Sequence, residues 1–401
     1  MQPKLRNIQP QWGQQNGRPV LVLRDPLGLS DKTLALPQSL APLLAFCDGS
    51  RDESAIRAAL EIRAGVRIPP DVLAQILQQL DDALLLDNER SAAALRDAIC
   101  RYRGASFRPP ALAGVSYPAE PEALTAALQG CVGGAATDPP AQSIRGIVSP
   151  HIDYARGGAV YGQVWAASAE AARQADVAVI FGTDHMGDFS PFTLTRQNYA
   201  TPFGVLPTDG VIVEQIAGAI GDDAAFRDEL HHRSEHSIEL AAVWLHHVRG
   251  GQPCSLVPIL CGAFEPFVAG GESARDNDLI ARGVAALREA LAGRKFVVVA
   301  AADLAHTGPA FGDSVPAGFV QRAVGKSADE ALIQRVCEGD ADGFLGLIQQ
   351  EGDRRHICGV PPIYLALRLL EPVRGRVIAY DQAPADAQGT SFVSFCGITL
   401  E

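Results

Sequence analysis

The sequence predicts an α/β protein in which a larger unit, with a central sheet flanked by helices, follows a small and mostly helical unit. The chain has 401 residues, which is long for one core and suggests two or three domains. Residues 18–88 carry helical apolar patterns of their own, and residues 89–107 have the composition of a charged, Ala-rich helix. After residues 108–110, short β-branched runs alternate with Ala-rich segments, which is typical of βαβ units. We therefore predict two domains, 1–107 and 108–401.

The smaller domain is predicted to start with an extended run at 20–23 and to continue with helices separated at Asp48-Gly49 and Pro69-Pro70. The last helix carries one apolar stripe at helical spacing, formed by Val72, Leu73, Ile76, Leu77 and Leu80. Residues 83–86 then predict a short strand before the turn at Asp87-Asn88. The resulting order is helix, helix, strand.

The larger domain is predicted from its short β-branched runs, which are bounded by turn residues. The clear strands are 144–148, 177–181, 256–260, 296–300 and 376–380. The Gly/Ala/Asp/Pro-rich segment 133–141 has the composition of a surface loop.

Composition limits the classes of partner and of chemistry. The formal net charge is -12 and no dense Lys/Arg cluster occurs, which disfavours nucleic acid or an anionic membrane as principal partner. The eight cysteines include no CxxC pair, which argues against a disulfide scaffold and a Cys-rich zinc site. The N-terminus lacks a signal-peptide core, and no apolar run reaches the roughly 20 residues of a membrane span. We expect a cytoplasmic protein that acts on a small-molecule or peptide substrate.

Several common catalytic motifs are missing from the sequence. It contains no GxGxxG after a strand, no GxxxxGK[ST], no GxSxG and no HExxH. Nucleotide-binding, phosphate-loop, serine-hydrolase and zincin functions therefore have no direct support.

The histidines carry most of the functional information. All nine lie after residue 150, and His151, His185 and His306 each follow a predicted strand. Ligands bind beyond the carboxyl ends of strands in open α/β sheets, so these imidazoles are expected to converge on one crevice. His236 lies near the start of a predicted helix, and neutral imidazole is a good ligand for zinc, iron or copper. The others are interpreted as ordinary surface or hydrogen-bonded histidines: His231, His232, His246, His247 and His356.

Acidic residues lie within three positions of the candidate histidines. They are Asp153, Asp184, Glu235 and Asp303. Carboxylates so placed could orient imidazoles or act in acid/base catalysis, although turn or helix-cap chemistry would equally explain Asp184 and Asp303. We predict His151, His185 and His236 as metal ligands, and His306, Asp303 and Glu235 as catalytic groups, with His306 as the alternative ligand.

Six segments, in order along residues 108–363, resemble the motifs of the Memo family. They are RPPALAGVSYP at 108–118, SPHIDY at 149–154, GTDH at 182–185, EHSIE at 235–239, DLAH at 303–306 and ICG at 357–359 followed by PPI at 361–363. The resemblance implies the class III extradiol dioxygenase fold, with a central mixed sheet and a crevice at its strand ends. In bacteria and archaea such proteins are similar to the system protein B that accompanies an AMMECR-type protein and a radical SAM protein, which implies those partners.

Residues 43–60, LLAFCDGSRDESAIRAAL, resemble a second group of proteins. Together with the helix, helix, strand order, they are similar to the winged-helix domains of the PqqD type, which bind peptides in peptide-modifying systems. The alternative is an accessory domain that only packs on its neighbour.

The Memo resemblance also bears on the metal. In the wider superfamily two His and an acidic residue hold non-haem iron, whereas metal-binding Memo proteins use His and Cys ligands. Motif matching makes His151 and His185 the first two ligands, while Ala305 stands where a Cys is expected before the last His. Either His236 or His306 then completes the site, or the crevice serves recognition. Iron is the first expectation, with zinc or copper as alternatives.

Three functions therefore stay open at the level of the sequence. The first is a metal-dependent redox or oxygenase-like enzyme. The second is a non-catalytic peptide- or protein-binding scaffold of a radical SAM system, and the third is a zinc hydrolase.

Overall fold

The computed structural model describes residues 2–8, 10–133, 144–187, 190–262 and 264–401. The chain separates into two compact units, Met1–Gly104 and Ala105–Glu401. The boundary predicted near residue 107 lies close to this division. Of the surface loop predicted at 133–141, all but Gly133 lies outside the described residues. None of the described helices combines the length and the apolarity that a membrane crossing requires.

The first unit contains a three-stranded antiparallel sheet and four α-helices among its described residues. The elements are β1 (Gln11–Gln15), β2 (Arg18–Arg24), β3 (Thr33–Pro37), α1 (Pro42–Phe46), α2 (Glu53–Ala64), α3 (Pro70–Asp82) and α4 (Glu89–Gly104). The expected extended run at 20–23 is the centre of β2. On α3, Leu73, Leu77 and Leu80 are buried as the apolar stripe predicts, whereas Val72 is exposed.

The strand predicted at 83–86 is wrong. The chain leaves α3 through Leu84, whose φ of 57° is left-handed and breaks an extended run. The N–H of Leu85 donates to the carbonyl oxygen of Leu80, as at a helix end, and only Leu86 forms a single bridge, with Leu5.

The second unit is a three-layer α/β structure. Its first half contains α5 (Pro121–Val132), β4 (Gly146–Ser149), α6 (Tyr154–Gln174), β5 (Val177–Thr183), β6 (Thr193–Leu194), β7 (Tyr199–Thr201), β8 (Gly204–Leu206), α7 (Gly210–Ile220), α8 (Asp222–Phe226) and α9 (Ser237–Val248). Its second half contains β9 (Ser255–Cys261), α10 (Glu265–Val268), α11 (Asp278–Leu291), β10 (Phe296–Ala301), β11 (His306–Thr307), α12 (Phe319–Glu338), α13 (Ala341–Glu351), α14 (Val360–Leu370), β12 (Gly375–Pro384) and β13 (Phe392–Leu400). All five predicted strands are present.

The central sheet has the order β11-β13-β4-β10-β5-β9-β6, and β12 also pairs with β13. Strands β4, β10, β5 and β9 are parallel, whereas β13, β11, β12 and β6 pair antiparallel with their neighbours. The sheet is therefore mixed, and the predicted fold class is confirmed. Strand β13 was not predicted, although it is buried along its whole length.

Alternating residues of β5 face two different hydrophobic cores, as the two-residue period of a strand requires. Val177, Val179 and Phe181 pack with residues of α7, α11 and α14, whereas Ala178 and Ile180 pack with residues of α5, α6 and α9. Helices thus cover both faces of the sheet, and the carboxyl ends of its parallel strands form the edge at which side chains can reach a ligand.

Candidate metal centre

Three of the predicted site residues follow the parallel strands at the same offset. His151 stands two positions after the end of β4, His185 two after β5, and Asp303 two after β10. Because these strands are adjacent and parallel, their ends meet at one edge of the sheet. His236 reaches the same edge from the position just before the first residue of α9, where its own side chain makes no capping hydrogen bond.

The close approach of α9 to β5 depends on Gly182. A Cβ atom at this position would lie 2.6 Å from both Cγ1 of Ile238 and Oγ of Ser237. Oγ of Ser237 instead donates to the carbonyl oxygen of Thr183 over 2.8 Å. The absence of a side chain at Gly182 therefore lets the first turn of α9 pack directly on the end of β5.

The imidazoles of His151, His185 and His236 form a tight cluster. The ring centroids lie 5.1 Å apart for His151 and His185, 4.9 Å for His185 and His236, and 5.5 Å for His151 and His236. His185 and His236 are stacked, and His151 presents its ring edge-on to both. The structure thus brings together the three histidines that were predicted as metal ligands.

Each of the three imidazoles has its Nδ1 held by an oxygen acceptor. Nδ1 of His151 lies 2.9 Å from the carbonyl oxygen of Ala301, and Nδ1 of both His185 and His236 lies 3.0 Å from a carboxylate oxygen of Glu235. Acceptors at Nδ1 place the proton there and leave the lone pair on Nε2, which is how metal-ligating imidazoles are usually oriented.

Glu235 uses both carboxylate oxygens to build this arrangement. Its Oε2 accepts from the backbone N–H of His185 at 3.2 Å as well as from the ring, and its Oε1 accepts from the N–H groups of His236 and Ser237 at 2.7 and 3.0 Å. The side chain is 3% exposed, and an anion at a helix N-terminus is favoured by the helix dipole. Glu235 therefore caps α9 and orients two imidazoles at once.

A thiol completes the cluster. Sγ of Cys358 lies 3.3 Å from Nε2 of His151, and single ligand atoms of His151, His185 and Cys358 all lie within 4.8 Å of one another. A second such group is formed by His185, Glu235 and His236. Cys358 reaches the site from the loop between α13 and α14.

Burial and charge act in opposite directions on these groups. Burial lowers the pKa of His151, which favours the neutral imidazole that a metal needs. Burial alone would raise the pKa of the Cys358 thiol, but His151 and His185 outweigh it and lower that pKa, which favours the thiolate. Burial would likewise lower the pKa of His185, but the charge of Glu235 and the hydrogen bonds to Cys358 and Glu235 together outweigh burial and raise that pKa well above its usual range.

A pair formed by Asp184 and His231 supports the loop that carries His185. Nδ1 of the buried His231 lies 3.1 and 2.9 Å from the two carboxylate oxygens of Asp184. Burial would lower the pKa of His231, but the hydrogen bond to Asp184 and the nearby carboxylate charges, that of Asp184 first, together outweigh burial and raise that pKa. Oδ1 of Asp184 also accepts from the N–H of Met186 at 3.1 Å, so Asp184 acts here as a turn residue.

The cluster lines an open cavity of about 800 Å³, and of the predicted catalytic residues Asp303 and His306 border it, whereas Glu235 is not among the lining residues described. Asp303 accepts from the backbone N–H of His151 at 3.0 Å, and burial raises its pKa. His306 packs edge-on against Phe311, with its Nδ1 3.1 Å from the carbonyl oxygens of Leu304 and His356. The other lining residues described are Leu112, Ser116, Ile152, Asp153, Arg156, Leu240, Ala310, Phe311, His356, Cys358, Ala385 and Val393.

The expectation that position 305 decides whether the site has a thiol is wrong. Ala305 is buried, its N–H donates to Oγ of Ser394 at 2.9 Å, and it is not among the cavity-lining residues described. Cys358 supplies the thiol instead. The ICG segment was part of the family resemblance, but nothing in its local sequence marked this cysteine as a ligand.

The donors present are suited to a transition-metal ion. Zinc bonds of about 2.3 Å to sulfur and 2.0–2.1 Å to nitrogen at tetrahedral angles imply an S···N separation of roughly 3.5 Å. The 3.3 Å between Sγ of Cys358 and Nε2 of His151 is close to that value. Nε2 of His151, a ring nitrogen of His185 and the sulfur of Cys358 thus lie close together, with the imidazole of His236 beside them.

Comparisons with known proteins identify the family of the chain. The family described as "Memo-like protein" matches residues 108–399. The chain is 27% identical to a MEMO1 family protein of Aquifex aeolicus, with an alignment that covers the whole of both chains. It is 31% identical to a MEMO1 family protein of Archaeoglobus fulgidus over 73% of this chain and 99% of that one. A MEMO1 family protein of Methanococcoides burtonii is 32% identical over 58% of this chain and 76% of its own. The chain therefore belongs to the Memo family.

Proposed function

We propose that this protein is a metal-dependent enzyme of redox type. His151 and His185 would bind the ion through Nε2 and Cys358 through Sγ, with His236 beside the position left for a substrate. The observation that carries the proposal is the common orientation of the three imidazoles, each with Nδ1 on an oxygen acceptor, next to a thiol 3.3 Å from one Nε2. Ordinary buried histidines have no reason to share that arrangement around a cysteine.

The donor set bears on the choice of metal. Soft thiolate favours zinc or copper(I), while imidazole suits zinc, copper and iron. Iron, which the wider superfamily implies, would meet a thiol here in place of a carboxylate, because both oxygens of Glu235 already hold imidazoles. When bound, the ion would supply Lewis-acid activation of a substrate oxygen and, for copper or iron, electron transfer.

His306 and Asp303 supply acid/base capacity at the cavity wall. Two carbonyl oxygens at 3.1 Å place the ring proton of His306 on Nδ1, which leaves Nε2 as an acceptor. Burial lowers the pKa of His306, so its ring is neutral near pH 7 and can take a proton from a substrate. The carboxylate of Asp303 accepts a hydrogen bond from the backbone N–H of His151. Asp303 is therefore the second candidate, after His306, for an acid/base group.

Metal analysis of protein purified without oxygen tests the proposal. We expect near-stoichiometric metal in the natural chain and none in His151→Ala or His185→Ala. Of His236→Ala and His306→Ala, the variant with the larger loss identifies the additional ligand. His247→Ala is the matched control, since His247 lies at the end of α9 and packs against Phe203 and Trp244. Equal metal content in every variant would overturn the proposal.

The identity of the ion separates the remaining functions. Copper or iron supports the redox function, zinc alone supports a hydrolase, and metal-free protein supports a peptide- or protein-binding scaffold. The scaffold function has one structural support, because the first unit has its own hydrophobic core and is included in the full-length alignment with the relative from Aquifex aeolicus. A winged-helix-like role of that unit in binding peptides is part of this second proposal.

Family membership also supports a proposal about context. We place the protein in the cytoplasm, with an AMMECR-type protein and a radical SAM protein as partners and a small molecule or peptide as substrate. Co-purification of the three proteins at equal expression tests the partnership. Residues 108–401 contain every candidate ligand, so a fragment of that range is expected to retain the metal.

A further inference from the structure

Two motif residues that the proposed metal chemistry does not use, Arg108 and Glu239, meet in a buried ion pair. Arg108 opens the first motif and Glu239 ends the EHSIE segment, and neither side chain has any solvent exposure. Nη1 of Arg108 donates to Oε2 of Glu239. Two charges removed from water are expensive unless further hydrogen bonds satisfy them, so the partners of this pair show what it holds in place.

The guanidinium of Arg108 is directed at the turn that carries the metal-site carboxylate. Its Nε donates to the carbonyl oxygen of His232 at 2.7 Å, and its Nη2 donates to the carbonyl oxygen of Glu235 at 2.8 Å. A planar guanidinium can make these bonds and the ion pair together, whereas a lysine ammonium on a flexible stem cannot match the three directions.

Glu239 ties the same helix turn to the opening motif. Its Oε2 accepts from the N–H of Ala111 at 2.7 Å, and its Oε1 accepts from the N–H of Leu112 at 2.8 Å and from the hydroxyl of Tyr117 at 2.5 Å. Leu112 also lines the cavity. The pair therefore joins one cavity wall to the first turn of α9.

We propose that Arg108 and Glu239 are positioning residues of the metal centre, acting through Glu235, which they hold in the place where it orients His185 and His236. This inference depends on the proposed metal function. Glu235 can hold two imidazoles only while its own backbone is fixed, and Arg108 binds that backbone directly at the Glu235 carbonyl. The opening motif thus acts as a rigid support for the ligands.

The test measures zinc affinity of the full chain after Glu239→Gln, which retains the shape of the side chain and removes its charge. Loss of a group that orients metal ligands typically weakens binding 10–100-fold, so we expect a loss of about tenfold. The visible spectrum of the cobalt(II) form, which reports ligand geometry, should change as well. Asp25→Asn is the matched control, because it breaks the buried Arg6–Asp25 pair of the first unit.

A double-mutant cycle separates positioning from general stability. If Glu239 acts through Glu235, the affinity losses of Glu239→Gln and Glu235→Gln should be smaller together than their sum. Additive losses, or zinc affinity of Glu239→Gln equal to that of the natural chain, would overturn the inference. The same double-mutant cycle can be measured with Arg108→Lys in place of Glu239→Gln. This substitution retains the positive charge and removes the planar guanidinium group.

Hydrogen exchange makes the inference testable without metal. The N–H groups of His185, His236 and Ser237 all donate to Glu235, so loss of the support should increase their exchange in the metal-free protein. Equal exchange rates of these three N–H groups in the metal-free variant and the metal-free natural chain would overturn the inference without any measurement of metal binding. Two results together would separate the proposals: if the natural chain binds no metal, and Glu239→Gln still exchanges these N–H groups faster, the proposed function is overturned. The structural support of Glu235 by Arg108 and Glu239 would then stand.

Discussion

Replacing the sulfur of Cys358 by oxygen tests the donor set with the smallest structural change. Cys358→Ser removes the thiolate, which is the one negatively charged donor in the group formed with His151 and His185. Because loss of an orienting group alone costs 10–100-fold, loss of a donor should weaken zinc binding by at least about 100-fold.

This loss of affinity translates into a measurable loss of thermal stability. With zinc at about 1,000 times the Kd of the natural chain, binding stabilises the fold by about 4.1 kcal/mol, and a 100-fold weaker variant retains about 1.4 kcal/mol. The difference of about 2.7 kcal/mol corresponds to a Tm lower by roughly 5 °C for a unit of about 300 residues. Without zinc the two proteins should unfold at nearly the same temperature.

Calorimetry with and without zinc measures both quantities. Cys337→Ser is the matched control, since Cys337 is another half-buried thiol of the same unit. A zinc-dependent Tm shift that is the same in Cys358→Ser and in the natural chain would refute the assignment of Cys358 as a ligand.

Two further predictions concern the support of the cluster. The charge of Glu235 raises the pKa of His185 against the effect of burial, so protons should displace the metal as the pH falls through a value above the usual histidine range. Glu235→Gln should move that midpoint to lower pH, which zinc titrations between about pH 5 and pH 8 would show, and an unmoved midpoint would contradict the assigned cause. Gly182→Ala should cost about 1–3 kcal/mol by forcing Ile238 away, and should weaken zinc binding, as urea unfolding and titration would measure. Gly218→Ala, in an open helical position, should be neutral or stabilising, and equal stabilities of the two variants would count against the packing argument.

The positions of His151 and His185 were predictable because both residues follow strands of the parallel part of the sheet. His151 and His185 occupy the same offset after parallel strands, and the sequence shows both the β-branched runs and the residues that follow them. His236 required one more assumption, that a helix start lies at the same edge. Gly182 makes that assumption true in the structure, since it lets α9 pack on β5.

Cys358 was not predictable from local pattern. It lies in a loop where Asp353 and His356, which are not glycines, have φ values of 46° and 49°, so tertiary contacts rather than local preference shape this segment. Two such contacts are visible: the carbonyl oxygen of Arg355 accepts from the N–H of His306 at 2.7 Å, and the carbonyl oxygen of Cys358 accepts from Oγ1 of Thr183 at 3.0 Å. Only the folded chain shows that the thiol faces the histidines.

The missed strands have simpler physical reasons. Strand β1 is mostly exposed and has no apolar alternation, so its signal lies in the turn that follows: Asn16-Gly17, with φ values of 53° and 72°, is a two-residue hairpin turn that pairs β1 with β2, and the prediction did not use it. Strand β13 is apolar enough, but Ser394, Cys396 and Gly397 interrupt its run of strong β-formers. Its burial between β4 and β12 determines its conformation.

X-ray absorption spectroscopy of the zinc-loaded chain tests the central claim most directly. We predict one sulfur at about 2.3 Å together with at least two nitrogens at about 2.0–2.1 Å, and loss of the sulfur contribution in Cys358→Ser. A spectrum with only nitrogen and oxygen neighbours, or the same spectrum in both proteins, would contradict a metal centre built from His151, His185 and Cys358.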